Sequence, residues 1–74
     1  MQITVKLVGP LRIGRFKEQV CEYTDGTSIQ AIVDGFEFRD HLLRIILING
    51  VHARVDARLQ DGDTLSLLPV FDGG

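Results

Sequence analysis

Apolar and polar residues alternate along the first eight positions of the chain. Ile3, Val5 and Leu7 fall on one side of this alternation and polar side chains fall on the other. A period of two is typical of a strand with one buried face. A second strand is predicted over 17–23, with Val20 as the apolar position beside polar neighbours. The connection is too short for a crossover helix, so we expect the two strands to form a hairpin.

A short helix is predicted after the turn residues 24–26. Thr27 and Gln30 have the spacing of a capping box, which favours a helix that begins at Thr27. Apolar residues then recur at the spacing of one helix face: Ile29, Ile32, Val33 and Phe36. Gly35 is the predicted C-terminal cap, which limits the helix to about two turns. Phe36 and Phe38 are expected to close one end of the core.

The third predicted strand is the continuous apolar run 45–48, which is too short to cross a membrane. Such a run is typical of a strand that is buried on both faces. Asn49-Gly50 follows directly and predicts a type I′ turn, since both central positions of that turn need a positive φ. Residues 51–55 are expected to pair back as a short strand.

A further turn is predicted at 60–63, and a last strand follows in which Leu65, Leu67 and Val70 alternate with other residues. The predicted order is therefore strand, strand, helix, strand, short strand, strand. One amphipathic helix on one face of a mixed sheet of four to five strands is a two-layer α+β domain.

Size and charge exclude several classes of function. The 74 residues form one predicted domain, 1–74, and leave little room for a core and a deep active site together. A net charge of −2 argues against a nucleic-acid partner. The sequence contains no signal-like or membrane-spanning segment, so we expect a cytoplasmic protein without a membrane partner. The single Cys21 cannot form an internal disulfide.

The chain closes with Gly73-Gly74, two residues that have no side chain to pack. Because glycine is conformationally free, we expect a flexible tail over about 71–74 that can pass through a narrow entrance. A loose chain end without a function is the alternative interpretation.

Three features in this order carry a resemblance to a known family. They are Asn49-Gly50 after the apolar strand, the turn 59–63 before the last strand, and Leu67-Leu68-Pro69-Val70 leading to Gly73-Gly74. Together they resemble the ubiquitin-like sulfur carriers, which include the molybdopterin synthase small subunit (MoaD) and the thiamine-pathway sulfur carrier (ThiS). The resemblance covers essentially the whole chain and implies a β-grasp fold.

The resemblance also implies the chemistry and the partners. Gly74 is expected to be adenylated by a ubiquitin-activating-like adenylyltransferase that uses ATP and magnesium, with Gly73 allowing the tail to thread into that enzyme. The adenylate becomes a thiocarboxylate, and its sulfur passes to a synthase that makes molybdopterin, thiazole or a related product. The chain itself is then a co-substrate or small subunit and not an enzyme, and it binds no cofactor.

The residues before the two glycines depart from the family pattern. The family commonly has Pro-Pro-Val and a small residue here, whereas this chain has Val70, Phe71 and Asp72 after a single Pro69. Asp72 brings a negative charge near the ATP phosphates, which indicates a compensating cation in the partner or a specialised partner.

Partner contacts are predicted on both sides of the point where the last strand ends. Phe71 is the expected aromatic anchor, and Val70 and Asp72 flank it. Leu68 should face away from the helix and form an exposed apolar patch with neighbours on 45–48. The alternative for Leu68 is that it completes the edge of the core.

Other residues have structural interpretations that we prefer. Cys21 lies in a predicted strand and is interpreted as a small buried apolar residue. His41 and His52 lack companion ligands at metal-binding spacing, so no metal site is predicted. Asp61 and Asp63 flank Gly62 in the manner of a turn rather than of a catalytic pair.

Two further function classes stay open from the sequence. In a protein modifier, the activated Gly74 is joined to amines of other proteins. In a plain β-grasp interaction module, the tail has no function.

Overall fold

The strands form one sheet in the computed structural model, which describes residues 1–38 and 43–69. In chain order the elements are β1 (Gln2–Leu7), a 3-10 helix (Gly9–Arg12), β2 (Glu18–Glu22), α1 (Ile29–Phe36), β3 (Leu43–Ile48), β4 (Val51–His52) and β5 (Thr64–Pro69). The strand order is β2-β1-β5-β3-β4. β1 and β5 are parallel, and the other neighbours are antiparallel. The predicted α+β architecture, with one helix on a mixed sheet, is confirmed.

The core lies between α1 and one face of the sheet. Its buried residues come from β1, the 3-10 helix, α1, β3, β5 and the segment between β4 and β5: Ile3, Val5, Leu7, Leu11, Ile29, Ile32, Ile46, Leu59, Leu65 and Leu67. Leu11 lies in the 3-10 helix and is fully buried. The sequence pattern gave no sign of this because residues 11–15 lack a regular period. The connection between the hairpin strands therefore also contributes to the core.

The β1–β2 hairpin is confirmed, but Val20 does not serve as the buried position of β2. Val20 pairs with Thr4, whose side chain lies on the face opposite to Ile3 and Val5. Residues that lie directly opposite each other on adjacent strands have their side chains on the same face of the sheet. Val20 therefore projects away from α1, and it is 60% exposed. The half-buried apolar position of β2 is instead Cys21, which packs against the core.

The predicted capping box at the start of α1 is wrong by one residue. Ser28 is the N-cap, and its Oγ accepts a hydrogen bond from the Ala31 backbone N–H at 3.0 Å. The Thr27 hydroxyl instead donates to the Thr24 carbonyl at 2.6 Å, within the preceding turn. The Gln30 side chain donates to Asp34 at 2.7 Å instead of turning back to Thr27. The helix therefore begins at Ile29.

The C-terminal end of α1 also differs from the prediction. Gly35 lies inside the helix, and Glu37 is the cap residue in the left-handed conformation, with φ 55°. The helix has 8 residues, which agrees with the predicted two turns. Since Glu37 ends the helix, a glycine at position 35 is not needed for that purpose.

An aromatic cluster closes the end of the core beside the end of α1. The Phe36 and Phe38 rings stack at 5.2 Å, as the expected closure predicts, and Phe16 meets Phe36 edge-on at 5.8 Å. The Arg15 guanidinium donates to the Phe36 carbonyl at 2.7 Å and lies 4.7 Å from the Phe38 ring centre. Arg15 thus satisfies a carbonyl near the helix end and ties it to the hairpin connection.

β3 is buried on one face, not on both as the apolar run suggested. Ile46 is buried against the core, whereas Ile45 and Leu47 on the opposite face are half-buried. Within the described residues, no second layer covers that face. The Asn49-Gly50 turn is confirmed by φ values of 51° and 82°. β4 comprises only Val51–His52, shorter than the predicted 51–55.

Candidate functional site

The tail segment, defined here as residues 70–74, follows directly after β5. Its residues carry most of the sequence-predicted site and lie outside the described residues: Val70, Phe71, Asp72, Gly73 and Gly74. The structure does describe the base from which the tail segment continues. That base is Pro69, the last residue of β5, which is buried.

β5 holds this base firmly because it is a central strand. It pairs with β1 on one side and with β3 on the other. Leu65 and Leu67 are both fully buried beneath the helix, and Leu43 is the register partner of Pro69. A strand with two hydrogen-bonded neighbours and a buried face resists fraying. The position at which the tail segment begins is therefore fixed by the sheet.

An apolar surface lies beside this base on the sheet face that α1 leaves uncovered. Leu68 is half-buried there, and its register partner is Ile45 on β3. Leu47 is half-buried on the same face, opposite Ser66. We call Ile45, Leu47 and Leu68 the outer patch. The structure places Leu68 as the alternation predicted, while its role in binding stays a prediction.

Small polar side chains border the outer patch along the same face. Thr4, Thr64 and Ser66 lie beside it in the β1–β5 register. The ion pair between Lys6 and Glu18, with Nζ and Oε1 3.7 Å apart, lies further out on this face. An apolar centre with a polar border is the usual composition of a protein-binding surface.

The sequence did not single out Ile45 and Leu47 among the residues of the apolar strand. Their face is set by the register of β3 against β5, and that register shifts between Leu43 and Ile45. Such an irregularity moves side chains between faces, and an uninterrupted apolar run gives no signal of it. Only the pairing partner on β5 identifies which residues join Leu68.

Asp61 and Asp63 hold the turn before β5 and are not an acid–base pair. Asp61 Oδ1 accepts a hydrogen bond from the Gln2 backbone N–H at 2.6 Å. Asp63 accepts from the Gln60 backbone N–H at 2.8 Å and from the Asn49 amide at 3.0 Å. Since both carboxylates serve these bonds, the structural interpretation of this turn is supported. The Asn49–Asp63 contact joins the Asn49-Gly50 turn to the turn at 60–63, which residue spacing alone does not predict.

Cys21 and Tyr23 lie on the helix side of β2 and just beyond it. Cys21 is half-buried against the core, which supports its interpretation as an apolar residue. Burial raises the pKa of Tyr23 from the ordinary 10.0 to about 12, and the charge and hydrogen bond of neighbouring Cys21 add to the shift. The phenol therefore stays neutral in the folded protein well above its ordinary range.

Tyr23 gives a direct optical test of this packing because it is the only tyrosine in the chain. We expect tyrosinate absorbance to appear with a midpoint pH near 12 in the folded protein and near 10 in urea. Because the folded-state pKa is the higher one, the associated stability is complete below pH 10 and is lost as the pH rises toward 12. Cys21→Ala should lower the folded midpoint, whereas a midpoint at the ordinary value would contradict the burial of Tyr23.

Metal ligands do not cluster in residues 1–38 and 43–69: no group of three His, Cys, Asp or Glu side chains could hold an ion there. His52 is exposed on β4, and His41 lies outside the described residues. Within the same ranges, no helix is long and apolar enough to cross a membrane.

A mixed five-stranded sheet that carries one helix on a single face, with parallel first and last strands, defines the chain as a β-grasp protein. A sequence profile of the ThiS family matches residues 5–74, and the chain belongs to that family. The resemblance to the ubiquitin-like sulfur carriers is therefore confirmed. No individual curated protein matches the sequence.

Three solved structures illustrate the similarity. SAMP1 from Haloferax volcanii is 21% identical, with 100% of both chains covered and a TM-score of 0.75. A Pyrococcus furiosus protein, described as molybdopterin converting factor subunit 1, is 20% identical over 93% of this chain and 97% of its own, with a TM-score of 0.77. A complex of subunits 1 and 2 of the Helicobacter pylori molybdopterin-converting factor contains a chain that is 26% identical, with 100% of both chains covered and a TM-score of 0.68.

Proposed function

We propose that this protein is a sulfur carrier in which the α-carboxylate of Gly74 is adenylated and then converted to a thiocarboxylate. The observation that carries the proposal is the extent of the family match, which runs through Gly74 and so includes both glycines of the tail segment. The central position of β5, which fixes the base of that segment, supports it.

The proposed reaction has two steps. A carboxylate is ionised at neutral pH and is a poor electrophile, so its oxygen must first become part of a leaving group. The Gly74 carboxylate attacks the α-phosphorus of ATP, and pyrophosphate leaves. A hydrosulfide ion supplied by a sulfur donor then attacks the acyl carbon, AMP leaves with its electron pair, and loss of the sulfur-bound proton gives the thiocarboxylate. The adenylyltransferase binds ATP and magnesium and catalyses the steps, while this chain supplies the substrate carboxylate.

Tail length and residue size suit this role. Five extended residues span roughly 17 Å at about 3.3 Å per residue, enough to carry the carboxylate from the sheet into a partner's active site. Gly73 and Gly74 allow passage through a narrow entrance. We propose that Phe71 and Val70 anchor the tail segment in the partner. A partner cation beside Asp72 would offset its charge near the phosphates.

The outer patch is the proposed docking surface for the body of the protein. The Helicobacter pylori structure is a complex of two different subunits, which supports a similar arrangement with a synthase subunit here. Docking beside the base of the tail segment lets one surface position both the body and the reactive end. The sulfur acceptor then belongs to molybdopterin, thiamine or related biosynthesis in the cytoplasm.

Leu68→Glu tests this docking surface. We expect it to weaken binding to the adenylyltransferase or synthase partner by about tenfold or more, because a charge would be buried against an apolar surface without a partner. Titration calorimetry measures the affinity, and circular dichroism confirms that the fold persists. The matched control is Val55→Glu, which puts the same charge on an exposed apolar residue in the turn after β4, outside the outer patch and its polar border. Equal affinity for Leu68→Glu and the unsubstituted protein would remove Leu68 from the interface.

A protein modifier is the second candidate, since an amine can attack the same adenylate. A second Haloferax volcanii structure, described as small archaeal modifier protein 1, also shares the fold. Conjugates of this chain with other proteins, joined by an isopeptide bond at Gly74, would support this function. Their absence from extracts that contain the thiocarboxylate would favour the carrier.

Adenylation itself is tested by isotope exchange. With the adenylyltransferase from the same cells, ATP and magnesium, we expect labelled pyrophosphate to enter ATP only when this protein is present. Exchange that is independent of this protein would contradict the proposal.

A further inference from the structure

Among residues 1–38 and 43–69, no strand pairs with the outer edge of β2, which therefore presents a row of free backbone groups. β2 is the outermost strand beside β1. The hydrogen bonds from Leu7 N–H to the Lys17 carbonyl and from Tyr23 N–H to the Met1 carbonyl, both 2.9 Å, show that odd-numbered residues of this stretch face β1. The backbone N–H and C=O groups of Glu18, Val20 and Glu22 therefore point away from β1, toward the open edge of the sheet. Such an edge can accept another strand.

A groove runs between the end of this strand and α1. Its volume is about 200 Å³, and five residues line it: Tyr23, Ala31, Ile32, Gly35 and Phe36. Ile32 is buried and forms the floor, and Tyr23 and Phe36 are half-buried walls. On the helix side, the small residues Ala31 and Gly35 leave the groove open. An apolar side chain fits this lining.

Among the described residues, nothing in the packing or the backbone conformation requires a glycine at position 35. It lies inside α1 with a helical backbone, and a Cβ added there would meet nothing within 4 Å. Glycine is among the least favourable residues in a helix interior, and neither backbone geometry nor packing requires it here. Its effect is to keep the groove beside Tyr23 open.

We propose that the edge of β2 and this groove bind an extended segment of a partner protein as an additional strand. The segment would place an apolar side chain in the groove, one basic side chain beside Glu22 and a second beside Glu18, which also lies 3.7 Å from Lys6. Strand addition of this kind takes affinity from backbone hydrogen bonds and specificity from alternate side chains. The site is separate from the tail segment and from the outer patch, so it goes beyond the sulfur-carrier proposal.

Charge decides in favour of a basic partner over a second copy of this chain. In an antiparallel pairing of two β2 edges centred on Val20, Glu18 of each copy would lie opposite Glu22 of the other. Like charges directly opposite each other destabilise a strand pair. Basic residues on a partner, spaced four apart with an apolar residue between them, would meet both glutamates and the exposed Val20.

A designed peptide provides the probe: Leu-Lys-Thr-Val-Thr-Lys-Leu with blocked ends. In either strand direction, its valine faces Val20, its lysines face Glu18 and Glu22, and one leucine lies at the groove beside Tyr23. We expect saturable binding by fluorescence anisotropy, with amide NMR shifts concentrated at Glu18, Val20 and Glu22. A peptide with glutamates in place of both lysines should bind at least about tenfold more weakly.

Two pairs of variants assign the binding to this site. Gly35→Leu fills the groove and should lower the affinity for the peptide at least about tenfold. Gln30→Leu, on another face of the same helix, should leave that affinity unchanged. Glu22→Lys should lower the affinity for the peptide about three- to tenfold. Asp56→Lys, an equal change of charge on an exposed loop, should leave it unchanged.

The proposal is overturned if the peptide does not bind, if Gly35→Leu and Glu22→Lys bind it like the unsubstituted protein, or if the shifts map elsewhere. Formation of a dimer through β2, detected by sedimentation without peptide, would overturn the choice of partner.

Discussion

Deletion of Gly73 and Gly74 is expected to abolish protein-dependent pyrophosphate exchange and thiocarboxylate formation, with a loss of at least about a thousandfold. The reason is geometric: a tail shortened by two residues moves the carboxylate back by roughly 7 Å at about 3.3 Å per residue. Misplacement of a reacting atom by only 1 Å can cost on the order of a hundredfold. The thermal midpoint should not change, because no described core residue is removed.

Amidation of the Gly74 carboxyl group, by semisynthesis, gives the matched comparison. The amide keeps every residue and every tail contact but lacks the nucleophilic carboxylate, so it should be as inactive as the deletion. An amide that binds the adenylyltransferase normally yet supports no exchange would separate tail contacts from chemistry. Exchange at the unmodified rate with either variant would show that Gly74 is not the reacting residue.

Leu67→Ala is expected to lower the free energy of unfolding by about 3 kcal/mol, because removing a fully buried leucine side chain leaves a cavity. For a small domain whose total stability is about 5–15 kcal/mol, this is a large fraction. Urea denaturation measures the change. Leu67 lies on β5 in register with Ile46, so the loss would also loosen the base of the tail segment.

Ser66→Ala is the control for Leu67→Ala, since the two residues are adjacent on the same strand but on opposite faces. Ser66 is half-buried on the outer face, and its replacement should change stability by less than about 0.5 kcal/mol. A cost for Leu67→Ala no greater than that of Ser66→Ala would contradict the placement of the core on the helix side of β5.

The sequence pattern predicted secondary structure correctly where a strand has one buried face and one exposed face, because apolar and polar residues then alternate. Ile3, Val5 and Leu7 alternate strictly and are all buried. Asn49-Gly50 adopts the positive φ values that its turn type requires. In these places, the local backbone preference and the burial pattern agree, so the sequence alone is sufficient.

The ends of the helix were harder to predict because several residues compete for each role. Thr27 and Ser28 can both cap a helix, and the Thr27 hydroxyl instead bonds to Thr24 in the preceding turn. Gly35 was the predicted C-terminal cap, but Glu37 adopts the left-handed conformation that ends the helix. Such choices depend on where the turn places each hydroxyl and backbone group, which residue spacing does not specify.

The faces of Val20 and β3 depended on long-range pairing. Val20 follows the face of Thr4 across the hairpin, and the face of Ile45 is set by Leu68 on β5. The sequence could therefore propose Leu68 for the site but could not choose its neighbours. The reactive end was proposed from Gly73 and Gly74 through a resemblance, since two glycines have no side chains whose chemistry could reveal a role.

The central claim is tested most directly by the mass of the C-terminal peptide from protein purified from its native cells under non-oxidising conditions. Replacement of oxygen by sulfur adds nearly the same mass as oxidation of Met1 or Cys21, so the added mass must be localised to Gly74 and must react with a thiol-alkylating reagent. We predict an alkylatable thiocarboxylate at Gly74. An ordinary carboxylate there, even after incubation with the adenylyltransferase, ATP, magnesium and a sulfur donor, would contradict the sulfur-carrier function.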